Sequence, residues 1–473
     1  MTLRIEESPI PGLLVVRLDV KEDARGWFKE NWQRDKLSAV GLPDLGPVQH
    51  NVAFNVRRGT TRGVHAEPWD KYVSLASGRA FGAWVDLREG DSFGSTFWID
   101  LDPTVAVFVP RGVGNSYQTL EDATSYTYLV NQHWRPDAEY LALDLADRTA
   151  AIPWPVPLAE AEVSDKDRSN PPLVAVAPMR PKKVLVIGAN GQLGRALRHD
   201  FPDAEFVSVD QLDITDGDRV ATWPWHEYAV VINAAAYTAV DDAEAPEGRV
   251  ASWGTNAQGP ATLARLATEH GFTLAHYSSD YVFDGTGEEL SESDPYSPLG
   301  VYGQSKAAGD LAVATAPRHY LIRTSWLVGD GPNFVRTMAS LAARGASPSV
   351  VDDQTGRLTF TSELSRATRH LIESGAAYGT YNVSNSGPAT TWADVAKAVF
   401  RHCGRDEDDV RPVSTAEYAA GKQQAPRPRK SVLSLAKLEA TGFRPEPAGD
   451  ALARYLATAT ATAEEHKREV GKC

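Results

Sequence analysis

The chain has 473 residues, which suggests roughly two or three domains at ~150 residues each. It is 42% hydrophobic with 12 Trp, 16 Tyr and 14 Phe, so sizeable cores can be buried and bulk disorder is excluded. Lys plus Arg number 48 against 62 Asp plus Glu, and a net charge of −14 argues against nucleic-acid or polybasic membrane partners.

The opening MTLRIEESPIPGLLVVRLDV carries Glu6 and Glu7 before an apolar run too short and too broken for a signal peptide. No stretch approaches the ~18 apolar residues of a membrane helix. The two cysteines, Cys403 and Cys473, exclude a disulfide framework and fit a reducing compartment. The expected location is cytoplasmic, with no membrane and no nucleic acid as partner.

From about Pro47 to Val130 the chain is rich in Val, Phe, Tyr and Trp, with Gly and Pro at short intervals. Helical periodicity is nearly absent there, which predicts an antiparallel sandwich or barrel. Four prolines between Asn170 and Lys183 then predict a linker over 171–181. Beyond it, the apolar runs Val184–Ile187, Phe206–Val209, Val230–Ile232, Leu274–Tyr277 and Tyr320–Ile322 alternate with Ala/Leu-rich helical patterns. One such helix, Pro260–Glu269, is closed by Gly271. Alternation of this kind predicts a doubly wound parallel sheet. The domains are therefore expected at 1–170 and 182–473.

In the second half, Lys183-Val-Leu-Val-Ile-Gly188-Ala-Asn190-Gly191-Gln192-Leu193-Gly194 runs from an apolar strand into a glycine turn and a helix. Such a turn brings backbone N–H groups and a helix N-terminus to a pyrophosphate. An ordinary strand-to-helix turn is the plain alternative. Asp210 at the end of the next strand favours the dinucleotide, because an acid there meets ribose hydroxyls. Tyr302-Gly-Gln-Ser-Lys306 puts a phenol and an ammonium on one helix face if helical. The ammonium stabilises a phenolate, so Tyr302 can exchange a proton with a substrate oxygen while hydride moves. Ser278 and Ser279 close a predicted strand where a parallel sheet presents its ligands.

This half resembles the extended short-chain dehydrogenase/reductases, specifically the dTDP-4-dehydrorhamnose reductases, from Lys182 to about Thr460. The resemblance is carried by Val231-Ile-Asn-Ala-Ala-Ala-Tyr, Ser279-Asp-Tyr-Val-Phe-Asp-Gly, Ser297-Pro-Leu-Gly-Val-Tyr-Gly-Gln-Ser-Lys, Ile322-Arg-Thr-Ser-Trp326 and Asp353-Gln-Thr-Gly-Arg-Leu-Thr. It implies a Rossmann domain with a small substrate subdomain after Trp326, itself a substrate residue. It implies Ser279, Tyr302 and Lys306 as catalytic residues. Cofactor contacts fall on Gly188, Asn190, Gly191, Gln192, Leu193, Gly194, Asp210, Asp213, Ala234, Ala235 and Ala236, together with Tyr302 and Lys306; Asn256 matches the superfamily's helix Asn. The cofactor is NADH or NADPH: Asp210 favours the former, and Arg195 leaves the latter open. The basic run Arg427-Pro-Arg429-Lys430 reads as a phosphate contact or a solvated turn. Cys403, just after the helical pattern 392–402, reads as a core residue.

In the first half His65 invites a metal, but only His65-Ala-Glu67 is offered and the later His is missing, so no metal is expected. Instead Arg25-Gly-Trp-Phe-Lys-Glu30, Val48-Gln49-His-Asn51, Arg62-Gly-Val-His65 and Lys71 resemble the dTDP-4-dehydrorhamnose 3,5-epimerases over about Ile5 to Arg168. This implies a cupin-like jelly roll, with His65 as base, Asp167 orienting it and Tyr128 as proton donor. Arg25, Glu30, Gln49, Asn51, Arg62, Lys71 and Glu139 fall on substrate-contacting positions. The chain departs from that pattern at Asn115, where the family has His, at His133, where it has an aromatic, and at Ala66-Glu67-Pro68-Trp69. The expected activity is epimerisation of a dTDP-4-keto-6-deoxy sugar followed by reduction to dTDP-L-rhamnose, with room for a homodimer through the jelly roll. Two alternatives stay open. One is a reductase with a single-epimerase or merely binding N-terminal domain; the other is a non-catalytic sensor of NAD(P) and sugar nucleotide.

Overall fold

The computed structural model describes residues 3–136 and 138–458. The chain divides into two compact units, Met1–Pro181 and Lys182–Cys473. Among the described residues no helix is long and apolar enough to cross a membrane. Cys473 lies outside the described residues.

The N-terminal unit is built from two antiparallel sheets. One orders its strands Arg4–Glu7, Leu14–Arg17, Val105–Val109, Lys71–Ser77, Thr124–Val130 and Gln49–Asn55. The other runs Leu141–Ala142, Thr61–Ala66, Val113–Thr119, Ala80–Asp86 and Thr96–Leu101. Val73, Leu75 and Val107 of the first meet Ala80, Trp84 and Leu101 of the second in a shared core. Each sheet is also covered on its outer face. Leu37, Leu42 and Leu45 pack on Val16, Tyr72 and Phe108, and Leu143 and Leu145 pack on Val64 and Val85. Burial on both faces explains why all seven residues of Ala80–Asp86 are buried instead of alternating.

Two departures from the sequence reading concern this unit. Strands begin well before Pro47, at Arg4 and Leu14, and pair into the six-stranded sheet. Segment 171–181, read as a linker, packs on the sandwich instead. Leu173 and Met179 are buried, and the Met179 N–H donates to the Leu87 carbonyl at 2.8 Å. Prolines keep this segment out of regular sheet or long helix, leaving one 3₁₀ turn at Leu173–Ala175, but its apolar residues still find the core.

The C-terminal unit centres on a six-stranded parallel sheet. Its spatial order is Glu205–Val207, Lys183–Ile187, Tyr228–Asn233, Thr273–Ser279, His319–Thr324 and Gly379–Asn382. Leu185, Ile187, Val231 and Leu274 face the helix Gly259–His270, through Leu263 and Leu266. Val186, Ile232, Ala275 and Ile322 face the helices Gln192–Asp200 and Thr361–Glu373, through Leu197, Leu364 and Leu371. Helices thus cover both faces, and the strands read as continuous apolar runs for that reason. The chain order reverses at Lys183–Ile187, which opens a crevice at the carboxyl ends of that strand and of Tyr228–Asn233. A separate core after Thr324 joins the helices Phe334–Ala343 and Trp392–His402 through Val335, Met338, Val399 and Phe400.

Candidate active sites

The glycine turn sits at the reversal of strand order. Gly188 adopts φ +88°, and a Cβ at Gly194 would lie 2.2 Å from the Gly188 carbonyl oxygen. Only glycine lets the helix approach the turn so closely. Gly191 caps the helix Gln192–Asp200 with no side-chain acceptor, so its leading N–H groups are left for an anion. Ala234, Ala235 and Ala236 follow the neighbouring strand, and the Ala234 N–H donates to the Ile187 carbonyl at 2.9 Å. The residues therefore fit a dinucleotide phosphate. Asn190 is exposed at the tip of the turn, whereas Leu193 points into the core. Asp210 is exposed three residues beyond its strand. Asp213 instead accepts from the Thr215 N–H and hydroxyl at 2.9 and 2.8 Å, so its carboxylate closes its own turn. Gln192 and Arg195 both reach the 330–332 segment, donating to the carbonyls of Pro332 and Asp330.

Tyr302 and Lys306 share the helix Val301–Val313. That helix is held against the turn after Ser279: a Cβ at Gly303 would lie 2.2 Å from the Tyr281 carbonyl oxygen. Ser279 ends its strand, and its hydroxyl is one of the groups that act on the Tyr302 phenol. Burial, and then the charge of Asp280, raises the Tyr302 phenol above its ordinary value. Lys306 is 2% exposed and donates to the Tyr277 carbonyl at 2.5 Å. Burial brings its ammonium down to about 8, against the opposing pull of Asp310. Asn256 lies in a π-helical turn, accepting from the Tyr237 N–H and donating to its carbonyl, both at 3.0 Å. Trp326 takes φ +44° and stacks on Trp392 at 3.8 Å. Arg427 pairs with Asp241 at 2.9 Å. Cys403 is exposed, not a core residue, because it caps the helix Trp392–His402 from outside.

In the N-terminal unit a cavity of about 280 Å³ opens between the two sheets. The six-stranded sheet contributes Ala53, Lys71, Tyr126 and Tyr128, and the other contributes Arg62, His65, Asn115 and Tyr117. His65 Nε2 lies 2.7 Å from Asp167 Oδ1. Asp167 is fixed by a one-turn helix whose cap, Ser164 Oγ, accepts the Asp167 N–H at 3.1 Å. Arg62 and His65 are three apart on one strand, so plain alternation would put them on opposite faces. A bulge opposite Asn115–Tyr117 brings both into the cavity. Burial, and then the Glu67 carboxylate, raises the Tyr128 phenol.

The cavity also holds two positions at which the chain departs from the epimerase pattern, Glu67 and Asn115. Glu67 forms a buried ion pair with Lys71. Asn115 accepts from Trp84 Nε1 and from the Tyr126 hydroxyl, both at 2.9 Å. The spacing of Glu67 and Lys71 was the available signal for the ion pair; the position of Asn115 was marked by its departure from the pattern, but its partners Trp84 and Tyr126 were not. Gln49 and Asn51 bond each other at 2.9 Å on the edge strand, on the same side as Ala53. Arg25, Glu30 and Glu139 do not line this cavity: Arg25 pairs with Asp23 on an exposed hairpin, Glu30 with Lys36, and Glu139 is exposed. His133 is exposed as well. Among the described residues no group of three His, Cys, Asp or Glu is arranged to hold a metal.

The geometry agrees with known proteins. The model of the RmlD substrate binding domain family matches residues 182–461, and that of the dTDP-4-dehydrorhamnose 3,5-epimerases matches 7–175. An RmlC homolog of Streptococcus pyogenes is 46% identical, over 37% of this chain and 92% of its own length. A dTDP-4-dehydrorhamnose reductase of Mycobacterium tuberculosis is 38% identical, over 56% of this chain and 89% of its own length. The solved structure of a Bacillus anthracis dTDP-4-dehydrorhamnose reductase in complex with NADP superposes with a TM-score of 0.54. It is 33% identical, covering 59% of this chain and 99% of that one. The chain belongs to the dTDP-4-dehydrorhamnose reductase (RmlD) family, and carries ahead of that domain one of the dTDP-4-dehydrorhamnose 3,5-epimerase family.

Proposed function

We propose that the chain performs consecutive steps on one dTDP-4-keto-6-deoxy sugar: 3,5-epimerisation in the N-terminal unit, then NAD(P)H-dependent reduction of the C4 ketone to dTDP-L-rhamnose. The observation that carries this reading is that each unit assembles its own proton-transfer set. His65, Asp167, Tyr128 and Lys71 line one cavity, and in the other unit Tyr302 and Lys306 share a helix, with Ser279 acting on the Tyr302 phenol, in a fold whose glycine turn leaves a helix N-terminus without a side-chain cap. A non-catalytic sensor would need neither set.

In this reading the N-terminal unit is a cupin-like jelly roll. Protons beside the C4 ketone are acidified when the enolate oxygen meets Lys71 or Arg62. Neutral His65 removes one such proton, and Tyr128 returns one to the other face. Asp167 holds His65 in the tautomer that leaves one ring nitrogen free for the carbon acid. The C-terminal unit is a Rossmann domain with a substrate subdomain that includes Trp326. The glycine turn Gly188–Gly194 and Ala234–Ala236 would hold a nicotinamide cofactor, which when bound would supply the hydride for ketone reduction. Tyr302 gives the accompanying proton to the ketone oxygen, Ser279 binds that oxygen, and Lys306 steadies the phenolate. Tethering the two steps raises the local concentration of the keto intermediate at the second site.

Asn115 supports a second reading, in which only one carbon is inverted, because its side chain is taken up by Trp84 and Tyr126. A homodimer through the jelly roll is supported by the edge strand Gln49–Asn55, which leaves Val52 63% and Phe54 59% exposed. A cytoplasmic location fits the substrates proposed. The test is to incubate the purified protein with dTDP-4-dehydro-6-deoxy-glucose and NADPH or NADH and identify the product by NMR. dTDP-L-rhamnose is expected; a C3- or C5-only epimer would select the second reading.

A further inference from the structure

The hydrogen of the Ser279 hydroxyl has two competing destinations. Ser279 Oγ donates to Asp280 Oδ1 at 2.9 Å and accepts the Tyr281 N–H at 3.2 Å. The Tyr302 phenol is close enough for the Ser279 hydroxyl to act on it. Asp280 is 2% exposed, and burial pushes its carboxyl up to about 6. An ionised carboxylate only accepts, so it holds the Ser279 hydrogen on itself. Ser279 then turns a lone pair towards Tyr302, and the phenol hydrogen has an acceptor other than the substrate. A neutral carboxyl reverses the chain. Its O–H donates to Ser279 Oγ and frees the Ser279 hydrogen to turn to a ketone oxygen. Ser279 and Tyr302 then both donate to that oxygen as charge develops on it.

We infer that Asp280 is a positioning residue of the reductase, setting the direction in which the Ser279 hydroxyl donates; the inference rests on the reductase reading above. No proton is consumed at Asp280. The proton that neutralises the substrate oxygen comes from Tyr302, and the carboxyl keeps its own. The groups facing Asp280 are the phenols of Tyr281 and Tyr302 and the hydroxyl of Ser431. Arg427, which reaches Tyr281, is paired with Asp241 at 2.9 Å. Asp310, on the Tyr302 side, is paired with Arg323 at 3.2 Å.

The test measures kcat and KM for ketone reduction by the full chain between pH 5 and pH 7, below the Lys306 ionisation. Wild type, Asp280→Asn and Asp280→Ala are compared. Wild-type kcat is expected to fall about fivefold across this range, a modest part of what general-acid groups contribute. Asp280→Asn is expected to hold kcat flat, because its amide N–H donates to Ser279 at every pH, and to exceed wild type at pH 7. Asp280→Ala lacks both donor and acceptor and is expected to be slow throughout. NADPH affinity, read by nicotinamide fluorescence, should stay unchanged and shows that each variant is folded. An Asp280→Asn profile parallel to wild type overturns the inference, and so does a flat wild-type profile, which needs no variant. Absence of any reduction by wild type with NADPH bound overturns the reductase reading itself, a result distinct from either.

Discussion

His65 Nε2 stands 2.7 Å from Asp167 Oδ1, although 102 residues separate the two in the chain. The contact is made by closing the sandwich: one residue lies on a bulged strand, the other on a capped helical turn after the last strand. Its chemical consequence is a fixed imidazole tautomer at the wall of the cavity.

The first prediction follows from that contact. Removing a proton beside a ketone needs only a base and an oxyanion partner, so solvent deuterium is expected in the keto sugar without NAD(P)H. His65→Asn is expected to stop this exchange. Asp167→Asn keeps the shape but loses the charge that orients the ring, and is expected to slow exchange by about 10- to 100-fold. Tyr128→Phe should spare wash-in at the base's face more than net inversion. NMR of the recovered sugar reads all three, and unchanged label in His65→Asn would remove it as the base.

The second prediction concerns reduction. Tyr302→Phe is expected to lower ketone reduction by about 10²- to 10⁴-fold, the usual contribution of one general acid, with cofactor still bound. Lys306 sharpens the pH dependence. Burial brings its ammonium down to about 8, so it is charged below that pH and neutral above it. The phenol then loses its cationic partner as pH rises. Reduction is expected to decline above pH 8, and Lys306→Ala to be slow at every pH. A rate that is level from pH 7 to pH 9.5 would contradict this role.

How far the sequence reached depended on the range of each contact. Strands such as Lys183–Ile187 and Tyr228–Asn233 were legible because burial on both faces writes a nearly continuous apolar run. The edge strand Gly379–Asn382 was not: it is short and carries Gly, Thr and Asn, and among the described residues it pairs with His319–Thr324 alone. Ser279, Tyr302 and Lys306 stand out by local spacing and order. The cavity of the first unit was visible only through resemblance, because the bulge that turns Arg62 and His65 to one side breaks the period of two. Segment 171–181 misled because prolines mark irregular backbone without saying what that backbone packs on.

The third prediction tests modularity. Each unit has its own hydrophobic clusters, centred on residues such as Trp84 in the first and Leu274 and Ile232 in the second. Residues from about Pro181 onward, expressed alone, are expected to stay folded and to reduce an already epimerised 4-keto sugar. A complementary fragment should end after Pro181, not at Asn170. Ending it early would strip Leu173 and Met179 from the sandwich and cost about 2–5 kcal/mol for each large buried side chain lost. Thermal melts of fragments ending at 170 and at 181 read the difference.

The last prediction concerns Glu67, whose carboxylate is paired with Lys71 inside the cavity. Lys71 is, with Arg62, one of the cations that line the cavity as candidates to meet an enolate oxygen, yet its ammonium is already matched by an anion. Glu67→Gln leaves a hydrogen-bonding side chain of similar shape and removes the charge. Two opposing effects follow from that single change. The folded state loses a charge-assisted bond to a buried ammonium, which is expected to cost about 1.5–3 kcal/mol and to lower the melting temperature. The enolate loses a competitor for Lys71, so deuterium exchange is expected to quicken severalfold. Tyr128 is affected in the same direction, since the Glu67 charge is one of the influences that raise its phenol. Its proton is then released more readily to the opposite carbon face, and net inversion should rise with exchange. A variant that melts earlier and also exchanges more slowly would mean that Glu67 holds Lys71 in its working place instead of competing for it. Measuring melting and exchange on the same preparation separates those two roles.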